Sequence, residues 1–193
     1  NQPVLTPGSE PFLSRDFNVG YRAACIDELL EAKDELSLED LLAIQLDAHN
    51  GNAANLVPVL LDVPTRPGDD GDDATAAAVA AIQEVLAGWD LQDAVDSAGG
   101  AAFNATWRHL LAATFHDELP EWAWPSGTGR WWEVVRGLAA DPESAWWDDR
   151  TTPERETRDE VLRDAMVEAH EELTERFSSD PTDWRWGAMH TLS

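Results

Sequence analysis

Cysteine and lysine are nearly absent from this 193-residue chain, which contains one residue of each, Cys25 and Lys33. A single cysteine excludes a disulfide bond within the chain and says little about its compartment. Cys25 lies among apolar residues in the segment RAACIDELL, which favours a small buried side chain over a reactive thiol. No apolar run approaches the roughly 20 residues needed to cross a bilayer, so no membrane span is expected.

Basic residues as a whole are scarce: 13 stand against 38 acidic residues, for a formal net charge of −25. Without a basic stripe, nucleic acid is not an expected partner. The acidic residues are dispersed along the chain, which indicates a halophilic source with a salt-rich cytoplasm or medium; an ordinary acidic domain is the alternative. Because molar salt shortens the Debye length to about 3 Å, thermal unfolding should shift upward in molar potassium chloride. The compartment stays open, an extracytoplasmic one included.

Motifs that assign a catalytic class directly are missing: the chain has no HExxH, GxSxG, GxGxxG or P-loop pattern. His109 and His116 are seven residues apart and share a helix face, so they are candidates for a metal pair or for ordinary hydrogen bonding. Two histidines need further ligands, and no metal site is predicted from them. The acidic stretch at residues 68–73 lacks the bidentate Glu of a calcium loop and is expected to be a solvated loop and helix start.

Tryptophan is abundant, with ten residues, seven of them between positions 107 and 147. Adjacent tryptophans at 131–132 and 146–147 cannot all face one core from a helix. Some of them are therefore expected to cover a neighbouring domain or, as the alternative, to line a ligand pocket.

Helical periodicity dominates the chain after an extended, Pro-broken start. Seven segments carry apolar residues at helical spacing: 21–32, 37–50, 52–63, 74–89, 97–119, around 131–138, and 153–177. Ser37 followed by Asp40 predicts a capped helix start. Pro58 predicts an interruption of the third segment, and Pro153 predicts the start of the last one. The prediction is a mainly α fold in one domain over 1–193, with an extended leading segment (1–20), helices (21–177) and an exit segment (178–193).

Several of these stretches, taken in order, resemble the β chain of the penicillin acylase family of N-terminal nucleophile hydrolases. NQPVLTPGSEP followed by GYRAACIDELL resembles the family pattern AN(N)…P…YRA.RI..LL. LSLEDLLAIQLDAHNGNAANLVPVLL resembles S.ED...IQ.D..S..A..L.P.LL, and LAGWD with DSAGGAAFNATWRHLLAATFHDEL resembles the next family segment. DWRWGAMHTLS resembles W.WG..H.L.F..PL, which returns the family's chain toward its central sheets.

The resemblance implies an irregular helical domain excised from an αββα amide hydrolase. In such enzymes a precursor cleaves itself into α and β chains, and the new N-terminal Ser attacks the amide with its own amine as base. This chain begins with Asn1 and lacks that Ser, so the isolated chain is expected to be inactive. The substrates implied for the parent protein are N-acyl amides such as penicillins or acyl-homoserine lactones.

Two site residues follow from the resemblance. Asn1 corresponds to an Asn whose amide stabilises the oxyanion, although Gln2, where a second Asn is common, leaves the register open by one; a frayed end is the alternative. Arg22 corresponds to an Arg that supports this Asn, and its alternative is a surface Arg on an acidic helix.

The remaining expectations concern ions and partners. No cofactor is expected in this chain; family members often bind calcium between chains, but the spacing around Asp16, the nearest acidic candidate, does not match. The implied partners are the rest of the α and β chains and a small N-acyl amide. Two rival hypotheses stay open: a non-catalytic, acidic helical interaction module, and a metalloenzyme built on His109 and His116.

Overall fold

A computed structural model of the chain describes residues 19–65 and 73–190. The described residues contain eight α-helices: α1 (Tyr21–Glu31), α2 (Leu38–Gln45), α3 (Ala53–Asp62), α4 (Asp73–Ala87), α5 (Ala98–Phe115), α6 (Arg130–Ala139), α7 (Arg158–Arg176) and α8 (Trp186–Met189). Short 3-10 turns lie at Glu121–Ala123, Ala145–Trp147 and Pro181–Asp183. Within these ranges the one β contact is an isolated antiparallel bridge between His49 and Gln92. The expected mainly α fold is confirmed.

Helix α5 forms the centre of the molecule. It packs most extensively against α7, while α4 contacts both of these helices and α3 joins α4 to α6. Small residues in its first two turns, including Gly99, Gly100 and Ala101, are buried and allow neighbouring segments to approach closely. Twelve of its eighteen residues are buried and Arg108 and Ala113 alone are exposed, so α5 is the core helix.

Helix α7 is strongly charged yet contributes an apolar stripe to the same core. The buried positions of this stripe are Val161, Leu162, Ala165, Met166, Ala169 and Leu173. They recur at helical spacing, so the acidic residues between them remain on the outer face. The helical spacing predicted within residues 153–177 is present here, and Phe177 packs against the core just beyond the last turn.

The start of α7 differs from the prediction, because the helix begins at Arg158 and not at Pro153. Thr157 and Glu160 form a capping box: the Thr157 hydroxyl accepts from the Glu160 N–H, and the Glu160 carboxylate accepts from the Thr157 N–H at 2.7 Å. This pair satisfies the free N–H groups at the helix end, and so it sets the boundary more strongly than Pro153. The corresponding box predicted at Ser37 and Asp40 is present.

The predicted interruption at Pro58 is wrong, because α3 runs through it without a break. Proline removes the N–H that would pair with the carbonyl of Ala54, four residues earlier. Both Ala54 and Pro58 lie on the exposed side of α3, whereas Leu56, Val57 and Leu60 face the core. The missing bond therefore falls where the carbonyl is not enclosed by apolar side chains.

Tryptophans contribute to the core and to the surface. Trp147 and Trp184 are fully buried, whereas the neighbouring Trp146 is partly exposed and packs on Phe115 at 5.5 Å between ring centroids. Trp131 and Trp132 are both half-buried, so each covers the edge of the core. Throughout the part of the chain that the structure describes, every helix is too short or too polar to cross a membrane.

Candidate functional site

Arg22 lies in the first turn of α1, on the wall of a cleft of about 830 Å³. The cleft is bounded by α1, the end of α2, the loop that follows it, and the turn that precedes α6. The Arg22 side chain is exposed and forms no hydrogen bond or ion pair with another described residue. Asn1 and Asp16 lie outside the described residues, so the structure does not place them.

Both apolar and polar side chains line the cleft. Ile26 and Leu29 of α1, Ile44 of α2 and the ring of Trp132 supply the apolar surface. The polar side chains that line it are Arg22, Cys25, Asp47, His49 and Asp93. A guanidinium without a carboxylate partner is free to donate to an acceptor oxygen that enters the cleft.

Asp47 is the centre of one hydrogen-bond network. Its carboxylate accepts from the Cys25 thiol at 3.4 Å, from the His49 backbone N–H at 3.1 Å and from the Gln92 amide at 3.0 Å. Burial opposes ionisation of Asp47, but the bonds from His49, Gln92 and Cys25 outweigh it and lower the pKa of the carboxyl.

Cys25 is half-buried and not fully enclosed, which corrects the prediction of a buried side chain. Burial raises the pKa of its thiol, and the hydrogen bond that it donates to Asp47 raises it further. The thiolate is the reactive form of cysteine, so this environment suppresses reactivity. Cys25 is consequently a hydrogen-bond donor at the cleft wall and not a candidate nucleophile.

Asp93 forms a second network at the base of the cleft. Its two carboxylate oxygens accept from the side-chain amides of Asn50 at 2.9 Å and Asn104 at 3.0 Å, while its backbone N–H donates to the Ala48 carbonyl. Burial raises the pKa of Asp93, although both amides favour the ionised form. The network ties the α2–α3 loop to the central helix α5.

The two histidines proposed as a pair have separate partners. The ring nitrogens of His109 face two carboxylates of α7, Glu168 at 2.8 Å and Glu172 at 2.9 Å, and Arg108 also contacts Glu172. His116 instead stacks on Trp124 with ring centroids 3.8 Å apart. Among the described residues no group of three or more His, Cys, Asp or Glu side chains is arranged to hold a metal ion.

The exit segment packs back onto the core. Trp184 lies edge-on to His170 of α7, and its indole N–H donates to the Ser178 carbonyl at 3.0 Å. The Gly187 N–H donates to the Val95 carbonyl at 2.8 Å, so close that a Cβ on Gly187 would meet a Val95 methyl at 2.5 Å. The ring of His190 stacks on Trp186, and its backbone N–H donates to the Trp186 carbonyl.

Sequence reasoning missed Tyr21, whose hydroxyl reaches Glu133 of α6, 112 residues away. It also missed Asp47 and Asp93. Both lie in segments that carry the family resemblance or adjoin it, but no spacing rule pairs them with Asn50, Gln92 or Asn104. Long-range hydrogen bonds leave no periodic signal in the sequence.

Comparisons with known proteins agree with the resemblance. The family model described as penicillin amidase matches residues 1–193. The chain is similar to the acyl-homoserine lactone acylase QuiP of Pseudomonas aeruginosa, with 24% identity over 203 residues, which cover 99% of this chain and 24% of that protein. It is also similar to the acyl-homoserine lactone acylase QuiP of Pseudomonas putida, with 28% identity over 101 residues, or 49% of this chain and 12% of that protein.

Proposed function

The chain belongs to the penicillin amidase family, and from this premise we propose that it is part of an amidohydrolase that cleaves N-acyl amide bonds. The substrate class is that of penicillins, acyl-homoserine lactones or related N-acyl compounds. The match of the family model along residues 1–193 carries this proposal. The chain spans about a quarter of the length of the Pseudomonas aeruginosa relative. We therefore propose that it is part of a longer protein, which we call the parent polypeptide.

The proposed chemistry uses an N-terminal Ser that lies outside this chain. Its α-amine, with an ordinary pKa near 8, takes the hydroxyl proton directly or through one water as the oxygen attacks the amide carbonyl. The carbonyl oxygen becomes an oxyanion and needs preorganised donors. The acyl-enzyme that remains is then hydrolysed by water.

Within this chain we assign two supporting roles. The Asn1 amide donates to the oxyanion, and Arg22 orients that amide from the cleft. The exposed guanidinium of Arg22, free of partners among the described residues, supports this assignment because it is available to donate to the amide oxygen of Asn1.

Substitution of Arg22 in the parent polypeptide tests the assignment. Arg22→Ala is expected to lower kcat about 10- to 100-fold, below the roughly 100- to 1,000-fold loss caused by deleting a direct oxyanion donor. Asn1→Ala should show that larger loss. Arg163→Ala, on the far helix α7, serves as the control and should leave kcat unchanged. An Arg22→Ala enzyme with wild-type kcat would contradict the role.

The isolated chain supplies the complementary test. Purified on its own, it is expected to hydrolyse neither penicillin G, nor an acyl-homoserine lactone, nor a chromogenic phenylacetyl amide, because the nucleophile is outside it. Turnover of any of these by the purified chain would contradict the proposal.

The partner that we propose for this chain is the rest of the parent polypeptide, and α1 and α2 present the docking face. Neither helix contains a buried residue. Their exposed large apolar residues, together with the residue that follows α2, are Ile26, Leu30, Leu38, Leu41, Leu42 and Leu46. Exposed apolar residues of this kind mark an interaction site, and this chain spans only 24% of the length of the Pseudomonas aeruginosa relative.

A triple Leu→Gln substitution at residues 38, 42 and 46 tests whether this face is buried in the parent polypeptide or remains exposed to solvent there. In the isolated chain these side chains already meet solvent, so the unfolding temperature should hardly change. In the parent polypeptide they would be buried, and the same substitutions should lower its stability by several kcal/mol. Equal behaviour in both contexts would favour the alternative, an interaction module whose α1–α2 face binds a separate protein.

A further inference from the structure

We propose that Tyr21 is a positioning residue, which anchors the first turn of α1 so that Arg22 faces the cleft. The inference rests on the function proposed above for Arg22. It concerns a side chain that does not itself touch the reacting groups.

The hydroxyl of Tyr21 joins α1 to two other helices. It donates to the Glu133 carboxylate of α6 at 2.5 Å and accepts from the Asn55 amide of α3 at 3.1 Å. Glu133 is in turn held by Arg136, whose guanidinium donates to it at 2.6 Å. One phenol thus connects three helices through a continuous set of hydrogen bonds.

The ring of Tyr21 is enclosed as well. It lies edge-on to Trp132 with centroids 5.4 Å apart, an arrangement that aromatic pairs favour. On another side it rests on Gly51, where an added Cβ would be 3.1 Å from the ring. Hydrogen bonds of the hydroxyl and packing of the ring therefore both hold the Tyr21 side chain in one orientation.

Few other contacts hold α1 in place. It has no buried residue, and among the described residues its side-chain hydrogen bonds to the rest of the molecule come from Tyr21 and Cys25. Arg22 follows Tyr21 directly and precedes Cys25 by three residues. Loss of the Tyr21 hydroxyl should loosen the turn that carries Arg22 while leaving the core intact.

The electrostatics agree with this geometry. Burial raises the pKa of Tyr21, and the hydrogen bond to Glu133 adds to the effect. Arg136 first, and then Tyr21, lower the pKa of Glu133. At neutral pH the Tyr21 phenol is accordingly protonated and donates to the ionised carboxylate of Glu133.

The first experiment uses the isolated chain and requires no activity. Tyr21 is the single tyrosine, so the ultraviolet absorbance of ionised tyrosine reports its titration alone. In Glu133→Gln the pKa of Tyr21 should fall toward its ordinary value of about 10. In Tyr21→Phe, which keeps the ring, amide hydrogen exchange of residues 24–28 should rise about tenfold. Unchanged exchange would overturn the anchoring role.

The second experiment uses the parent polypeptide and a double-mutant cycle. Tyr21→Phe should lower kcat about five- to tenfold in the wild-type background and cause no further loss in Arg22→Ala, because it acts through Arg22. Thr114→Val removes a buried hydroxyl of α5 that is bonded to the Leu110 carbonyl, and it should leave kcat unchanged in both backgrounds.

Losses that multiply in the Tyr21→Phe, Arg22→Ala double variant would overturn the inference, because a general structural role would act in both backgrounds. If the wild-type parent hydrolyses no N-acyl amide, the proposed function fails. The exchange measurement still decides separately whether Tyr21 fixes the turn that carries Arg22.

Discussion

Twelve of the eighteen residues of α5 are buried, whereas the nineteen residues of α1 and α2 (11 and 8) include none. Both regions carry large apolar side chains at helical spacing, so the difference does not lie in local pattern. Helix α5 is surrounded by α4, α7 and the exit segment, while α1 and α2 contact mainly each other. An apolar helix face therefore favours burial, but the pattern does not specify which element or which protein covers it.

The sharpest test of this comparison makes one substitution in both regions. Leu110→Ala removes a side chain with no exposed surface and should cost about 2–5 kcal/mol of unfolding free energy, since it leaves a cavity. Leu42→Ala removes a side chain that is 50% exposed and should cost less than about 0.5 kcal/mol in the isolated chain. Urea unfolding followed by circular dichroism measures both. Similar losses would show that α2 is buried in solution.

Glycine substitutions probe how tightly α5 is enclosed. A Cβ on Gly99 would lie 2.1 Å from the Trp89 ring, whose N–H is held by the Gln92 carbonyl at 2.9 Å. Gly99→Ala should therefore destabilise the fold by about 1–3 kcal/mol. Gly137→Ala in α6 is the matched control: it meets open space and should stabilise by about 0.5–1 kcal/mol. Thermal unfolding distinguishes the two signs.

The carboxyls at the boundary between the two regions predict opposite pH dependences. Asp93 has a raised pKa, so between its unfolded pKa, near 3.8, and its higher folded value the folded state binds more protons, and stability falls as pH rises. Asp47 has a lowered pKa, so its contribution is present above 3.8 and is lost as pH falls below it. Carboxyl NMR titration should order the two pKa values in this way.

The pH slope of unfolding isolates the Asp93 contribution. Asp93→Asn should remove the fall in the free energy of unfolding that comes from this residue. The free energy of unfolding of the wild type minus that of the variant should therefore decrease as pH rises from 4 through the titration of Asp93. A difference that does not vary with pH would contradict the raised pKa.

The smallest effect is expected at the polar margin between α5 and α7. His109→Gln keeps at most one of the two contacts with Glu168 and Glu172 and should cost about 0.5–1 kcal/mol, because these carboxylates are partly exposed. Glu171→Gln, exposed on the same helix, should change stability less. Thermal melts in low salt provide the measurement, and a loss as large as that of Leu110→Ala would place His109 in the core.

Much of the fold was predictable because its signals are local. The capping box at Ser37 and Asp40 and the inward stripe of α7 both lie within a few turns of one helix. The start at Pro153 was wrong although Thr157 and Glu160 stand in the sequence, since two start signals competed and the box satisfied more N–H groups. The interruption at Pro58 was wrong because its cost depends on which side of α3 faces solvent.

The mainly helical fold, the acidic character and the membership of the penicillin amidase family follow from the sequence, because helical periodicity, charge and ordered motifs can be read along the chain. The packing of the helices was needed to find that Arg22 is exposed on a cleft, that Tyr21 bonds to Glu133, and that Cys25 donates to Asp47. These relations join residues 22 and 112 positions apart. Their pairing depends on how the helices pack in space, and no local pattern encodes it.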